Sequence, residues 1–110
     1  MSYTVLFVDY AENDLFAIYK YVKASGYPQR ADKLVEEIEK ATNSLSHMPE
    51  RGHITPELER VGNFSYREIH VKVYRIIYTV SESIVYIHHI LDGRRDVQEI
   101  LKDRLLQTES

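Results

Sequence analysis

The chain has 110 residues and a formal net charge of −3, with 44% hydrophobic and 28% charged side chains, so we expect one soluble globular domain spanning 1–110. It contains no cysteine, which excludes disulfides, thiolate metal sites and a cysteine nucleophile and suits the cytoplasmic location that we expect. No apolar run approaches the ~20 residues of a membrane span, and the acidic balance argues against a large nucleic-acid footprint.

The first half of the chain predicts one strand and two helices. Tyr3 to Val8 is rich in β-branched and aromatic residues, which indicates a short strand. Apolar residues then recur at helical spacing until Gly26, a typical position for a helix to end. A second helix is expected after Pro28, and its apolar stripe consists of Ala31, Leu34, Val35, Ile38, Ala41, Leu45 and Met48. Because each helix is apolar on one face only, we expect an antiparallel hairpin that packs on a sheet.

The second half predicts a loop, three strands and a last helix. His47 to Asn63 has no apolar period, so we expect a long loop there. Three stretches rich in β-branched residues follow with short connections, which require antiparallel pairing, at Tyr66–Val71, Val73–Val80 and Ile84–Leu91. Asp96 is a candidate N-cap for a final helix whose stripe includes Leu101. The predicted fold is α+β in the order β-α-α-β-β-β-α, with the helical hairpin on one face of an antiparallel-rich sheet.

Two neighbouring histidines lie in the last predicted strand. Adjacent strand residues point to opposite faces, so we expect His88 and His89 to lie apart and not to share a metal ion. One is expected in the core under the helices and the other on the open face near Arg75. The interval from His70 to His88 is not a metal-site spacing. We therefore expect no metal and no small-molecule cofactor.

Five short motifs follow one another in the second half of the chain. They are MPERG at 48–52, PEL at 56–58, YRE at 66–68, YRIIY at 74–78 and GRRD at 93–96. In this order and spacing they resemble the RelE/ParE superfamily of toxins from bacterial type II toxin–antitoxin (plasmid stabilisation) modules, and the ParE-like branch is most similar. The resemblance extends from Tyr3 to Lys102.

This resemblance implies a toxin that is held inactive by a cognate antitoxin, which wraps a disordered segment across the sheet and helices. RelE-like members cut messenger RNA on the ribosome. ParE-like members instead poison DNA gyrase by binding it. We expect the second activity, with two alternatives: a RelE-like endoribonuclease acting on ribosome-bound mRNA, or an inactive member that retains only antitoxin binding.

The sequence contains only some of the residues that a ribonuclease active site needs. Metal-independent cleavage needs a base, an acid and a cation facing the phosphate. Arg75 matches the family arginine that faces the phosphate, Arg67 is a second cation, and His89 is a candidate acid or base if the chain is a nuclease. Leu101, however, stands where one group of RelE-like enzymes has a tyrosine, and leucine cannot move a proton. These departures favour the ParE-like interpretation.

We expect partner binding at Arg94, Arg95, Tyr74 and Tyr66. The alternative for the arginines is pairing with nearby aspartates, and for the tyrosines it is cross-strand packing. Arg75 has an alternative of the same kind, because it could pair with a glutamate across the hairpin instead of facing a phosphate or a partner.

Overall fold

The computed structural model describes residues 2–109, with side chains described as far as Leu106. The first part of the chain forms β1 (Thr4–Phe7), α1 (Asp9–Ala24) and α2 (Pro28–Ser44). The second part forms β2 (His53–Ile54), α3 (Pro56–Glu59), β3 (Arg67–Val71), β4 (Tyr74–Ser81), β5 (Ile84–Asp92) and α4 (Val97–Glu109). The α+β class and the seven predicted elements are confirmed, and β2 and α3 are additional.

The strands form one mixed sheet in the order β1-β5-β4-β3-β2. β1 pairs in parallel with β5, and the remaining pairs are antiparallel. The two hairpin turns place Lys72 and Glu82 in the left-handed backbone region, with φ of 54° and 56°. This geometry matches the right-handed twist of the strands that the turns connect. β4 and β5 lie at the centre of the sheet and β1 at one edge.

The helical hairpin covers one face of the sheet, as predicted. Pro28 begins α2, where its missing N–H is tolerated. The helix stripe, represented by the fully buried Ile38, packs with Ile76 of β4 and Ile87 of β5 in one core cluster. Met48 was expected in this stripe but is 59% exposed. The prediction was wrong because α2 ends at Ser44, so the helical period does not extend to Met48.

The opposite face of the sheet carries a smaller core. Ile77, adjacent to Ile76, belongs to this second cluster, as alternation along a strand requires. Leu58 of α3 and Leu101 of α4 pack here. Asp96 caps α4 as predicted, because its Oδ1 accepts the backbone N–H of Glu99 at 3.1 Å. None of the described helices is long and apolar enough to cross a membrane.

The segment predicted as a long loop contains two short elements and a tightly packed glycine. The backbone N–H of Gly52 donates to Tyr78 Oη at 3.0 Å, and Tyr78 Oη donates to the carbonyl of Pro49 at 2.8 Å. A Cβ at Gly52 would lie 2.5 Å from the carbonyl oxygen of Glu68. Only glycine therefore allows this segment to approach the sheet and form β2.

A β-bulge interrupts the alternation of β5. Ile77 of β4 pairs with His89, but Tyr78 pairs with Ile87, so His88 is the extra residue. Asp14 of α1 accepts the backbone N–H of Ile90 at 3.0 Å, just beyond the bulge. The expectation that His88 and His89 face opposite sides is wrong, because the bulge lets both rings turn to the same region.

Candidate functional site

Several polar residues lie on the face of the sheet opposite the helical hairpin. Glu68 and His70 are two residues apart on β3, so their side chains share a face, and His70 pairs with Arg75 of β4. His89 pairs with Ile77, whose side chain belongs to the core cluster on this face. Strand pairing therefore brings residues distant in sequence onto one surface.

Arg75 is held between two carboxylates. Its Nε and Nη2 donate to Glu68 Oε2 and Oε1 at 3.0 and 2.6 Å. Nη1 and Nη2 donate to Glu57 Oε2 and Oε1 at 2.8 and 2.6 Å. The Arg75 side chain is 14% exposed and that of Glu68 only 1%. In the structure, therefore, Arg75 pairs with a glutamate across the hairpin, which was the alternative to facing a phosphate or a partner.

The ion pairs shift the ionisation of all three groups. Hydrogen bonds to Glu57, and then to Glu68, raise the pKa of the Arg75 guanidinium. The hydrogen bond from Arg75 lowers the pKa of Glu57. Burial acts to raise the pKa of Glu68, but hydrogen bonds from Arg75 and His70 outweigh it, so this pKa is also lowered. At neutral pH both carboxylates are charged and compensate the arginine.

Arg67 binds protein backbone. Its Nη1 donates to the carbonyl of Gly52 at 2.8 Å and to that of Glu50 at 3.4 Å. These bonds attach the segment before β2 to β3. Arg67 and Arg75 do not share a partner among these hydrogen bonds, and the structure does not bring the two cations together as a phosphate clamp.

His89 is deeply buried beside α4. It is 3% exposed, and Arg104 Nη1 donates to its Nδ1 at 3.2 Å. Arg104 also donates from Nη1 and Nη2 to Asp14 at 2.8 Å each. Burial, followed by the Arg104 charge, lowers the pKa of His89 to about 4. The imidazole is therefore neutral at pH 7 and its Nδ1 is occupied as an acceptor.

His88 lies in a half-buried group of aromatic rings. Its ring centroid is 5.2 Å from that of Tyr66, 6.3 Å from that of Tyr86 and 6.0 Å from that of His89. Its Nε2 lies 2.8 Å from Thr79 Oγ1, and burial lowers its pKa. The bulge, which periodicity alone did not predict, brings the two histidine rings together.

The residues expected to bind a partner differ in their exposure. Arg95 is exposed, and Arg94 is 72% exposed although it donates to both carboxylate oxygens of Asp92 at 3.0 and 2.6 Å. Tyr74 is only 9% exposed and packs in the core under the helical hairpin, so it offers little contact surface. Tyr66 is half-buried, and burial raises its pKa.

One group of possible metal ligands was not recognised in the sequence. His53 of β2 pairs with Glu68 of β3, and His70 is on the same face as Glu68. One ligand atom from each of the three side chains lies within 4.8 Å of the others. The alternation of Glu68 and His70 was visible in the sequence, but His53 fell in a segment predicted to be a loop, so its pairing could not be inferred.

An apolar groove lies beside the edge strand β1. It has a volume of about 540 Å³. Leu6 of β1 and Phe16 of α1 line it and are 44% and 58% exposed. The groove is also lined by Val5, Phe7, Glu12, Leu15, Tyr19, Val35 and Glu39. An exposed apolar surface at an open sheet edge is typical of a protein-binding site.

Comparison with known proteins identifies relatives of this architecture. Residues 5–97 match the model of the family described as "ParE toxin of type II toxin-antitoxin system, parDE". Among solved structures, a chain of the chromosomal ParDE toxin–antitoxin system of P. aeruginosa is similar, with a TM-score of 0.67 and 20% identity over 81% of this chain and 94% of that one. A chain of the RelBE2 toxin–antitoxin complex of Mycobacterium tuberculosis has a TM-score of 0.56 and 23% identity, over 84% of this chain and 92% of that one. No curated protein sequence matches.

Proposed function

From the premise that this chain belongs to the ParE toxin family of type II toxin–antitoxin systems, we propose that it stops growth by binding and poisoning DNA gyrase and that a cognate antitoxin neutralises it. The gyrase target follows the ParE-like branch of the superfamily. The toxin acts by binding and cuts no nucleic acid.

The observation that carries this proposal is the pairing of Arg75 with Glu57 and Glu68. An arginine that stabilises a phosphate during cleavage must present unpaired donors and net positive charge. Arg75 gives four hydrogen bonds to two carboxylates, and the group of three side chains is net negative. A phosphate would be repelled from this position unless both carboxylates moved away.

The residues at the expected acid and base positions of a nuclease are also unsuited to proton transfer. Leu101 is 1% exposed and packs in the second core. His89 has a pKa of about 4, is 3% exposed and accepts a hydrogen bond from Arg104 of α4. A histidine with such a low pKa carries too few protons at neutral pH to act as an efficient general acid.

One observation favours the RelE-like alternative. Tyr66 and His88 lie with ring centroids 5.2 Å apart on the face that also carries His89. A histidine–tyrosine pair is used by some RelE-like enzymes, although those residues lie near the C-terminus. If this pair cut RNA, His88→Ala would abolish toxicity while the fold was retained.

The antitoxin is proposed to bind at the β1 edge. β1 is the outermost strand of the sheet, and the apolar groove lies next to it. A disordered antitoxin segment can add a strand to β1 and place apolar side chains against Leu6 and Phe16. Backbone pairing would supply affinity, and the groove would supply specificity.

A reconstituted gyrase assay tests the proposed target. The purified chain should inhibit supercoiling of relaxed plasmid and accumulate linear DNA after protein denaturation, and it should leave mRNA on ribosomes intact. Replacing the exposed Arg94 and Arg95 by alanine should weaken inhibition about tenfold, equivalent to about 1.4 kcal/mol of binding free energy. The matched control removes two exposed charges from α2 (Lys33→Ala with Lys40→Ala). Unimpaired supercoiling together with cleaved mRNA would contradict the proposal.

A further inference from the structure

We propose that His53, Glu68 and His70 form a binding site for a divalent transition-metal ion of the zinc type, at the edge of the sheet where β2 meets β3. Two imidazoles and one carboxylate are a ligand set that Zn²⁺ uses in proteins, with a water in the fourth position. This site is separate from the proposed antitoxin groove and from the Arg94–Arg95 turn.

The three side chains already converge on one point. The Nε2 atoms of His53 and His70 lie 3.4 and 2.5 Å from the same carboxylate oxygen, Glu68 Oε2. Ligand atoms on one tetrahedral ion, bound at about 2.0–2.2 Å, lie roughly 3.3–3.6 Å apart. The distance from His53 Nε2 to Glu68 Oε2 already meets this requirement. A small rotation of the exposed His70 ring would lengthen the distance from His70 Nε2 to Glu68 Oε2 to the same range.

Strand geometry holds the ligands in place. Glu68 and His70 occupy alternate positions of β3, and His53 is the direct cross-strand neighbour of Glu68. The two histidine rings are 5.3 Å apart and nearly perpendicular, at 85°. Ligands on paired strands are more precisely positioned than ligands on loops.

The carboxylate has a supporting residue of the kind that metal sites use. Arg75 donates to both oxygens of Glu68, and Glu57 in turn holds Arg75. Hydrogen bonds of this kind fix the orientation of a metal-binding carboxylate. A carboxylate has about four lone-pair sites, so Glu68 Oε2 can accept from Arg75 and still bind a cation.

Charge and access both suit a cation. Two carboxylates face one guanidinium, so the group is net negative when the histidines are neutral. The side chains of His53 and His70 are 59% and 49% exposed, so an ion can enter from solvent. Imidazole ligands favour Zn²⁺, Cu²⁺ or Ni²⁺ over Mg²⁺ and Ca²⁺, which prefer oxygen ligands.

Binding would fasten the two-residue strand β2 to β3. The segment from Pro49 to Ile54 is already attached through the pairing of β2 with β3 and through hydrogen bonds of Arg67, Gly52 and Tyr78. A metal that binds only the folded chain stabilises it by mass action. We therefore expect Zn²⁺ to raise the unfolding midpoint as well as to bind.

The test uses the full chain without a histidine tag, freed of metal with EDTA. Titration with ZnCl₂ in a calorimeter should show saturable binding of one ion per chain, and Co²⁺ should give the intense visible absorption of a tetrahedral site. His53→Ala and His70→Ala should each weaken Zn²⁺ binding by at least about tenfold. Removing a residue that only supports a metal ligand typically costs about tenfold or more in affinity, so removing a ligand should cost at least as much.

The control variant is His47→Ala, because His47 is exposed and lies outside the cluster. It should bind Zn²⁺ as the wild-type chain does. Circular dichroism verifies that each variant is folded. The proposal is overturned if the wild-type chain shows no saturable binding of one Zn²⁺, or if the variant lacking both His53 and His70 binds it with unchanged affinity.

Discussion

Glu57 of α3 and Arg75 of β4 form a two-point ion pair, with Nη1–Oε2 and Nη2–Oε1 distances of 2.8 and 2.6 Å. This pair joins a four-residue helix to the sheet centre. Two-point pairing also fixes the guanidinium plane. The contact therefore explains two things: how α3 is fixed to the sheet, and why the cation expected to face a phosphate instead faces protein.

The first prediction concerns the stability contribution of Arg75. Arg75→Ala would leave Glu68, 1% exposed, as a buried carboxylate without its main partner. Removing one member of such a pair is expected to lower the free energy of unfolding by about 3–5 kcal/mol. Urea denaturation at pH 7 measures the change. Arg95→Ala, at an exposed position, is the control and should stay within ~0.5 kcal/mol. A loss below ~1 kcal/mol in Arg75→Ala would contradict the structural assignment.

The second prediction concerns pH. Burial and Arg104 lower the pKa of His89 from 6.5 to about 4 in the folded chain. Between about pH 4 and pH 6.5, the unfolded chain therefore binds a proton at His89 that the folded chain does not bind. The contribution of neutral His89 to the free energy of unfolding is complete above pH 6.5 and decreases as the pH falls toward 4. The total decrease in the free energy of unfolding over this pH range is on the order of 3 kcal/mol or less.

His89→Gln removes the titrating group and should flatten this part of the pH–stability curve. Urea midpoints at pH 7, 6, 5 and 4 compare the two chains. His47→Gln, at an exposed histidine, is the matched control for the substitution itself. An equal slope in wild type and His89→Gln would mean that His89 is not buried in its neutral form.

The third prediction concerns the main core. Ile38 is fully buried between α2 and the sheet. Ile38→Ala should lower the free energy of unfolding by ~2–5 kcal/mol because it removes apolar contacts and leaves a cavity. Glu36→Ala, on the exposed side of the same helix, is the matched control. Equal effects of the two substitutions in urea denaturation would show that the helix face has been assigned wrongly.

The fourth prediction concerns the antitoxin. Phe16 is 58% exposed in the groove beside β1. Phe16→Glu should preserve folding and toxicity but weaken antitoxin binding by about tenfold or more, as loss of a central aromatic contact does. Growth on co-expression with the antitoxin and calorimetry of the purified pair measure this. Tyr21→Glu, at a residue of α1 that is 74% exposed and does not line the groove, is the control. If the antitoxin still neutralised the Phe16→Glu variant fully, it would have to bind at a surface other than this groove.

The larger elements could be predicted from the sequence because their patterns are local. The stripe around Ile38 defined α2, and Asp96 marked the start of α4. The short elements could not be predicted in this way. β2 has two residues and α3 has four, and both depend on distant contacts, Arg67 with Gly52 and Arg75 with Glu57.

The candidate site was only partly predictable for the same reason. The sequence indicated Arg75, and pairing with a glutamate was one of the two roles that it left open for this residue. The grouping of His88 with His89 depends on one extra residue in β5, which periodicity does not reveal. The cluster around His53 depends on the pairing of a two-residue strand.

Pulse-labelling after induced expression in bacteria tests the central claim most directly. Thymidine and methionine incorporation are followed in one culture, with the chain and with the Arg94→Ala/Arg95→Ala variant. A gyrase poison should stop thymidine incorporation early while methionine incorporation continues, and the variant should act more weakly. Early loss of methionine incorporation with continued DNA synthesis would contradict the account and favour an RNA-cutting toxin.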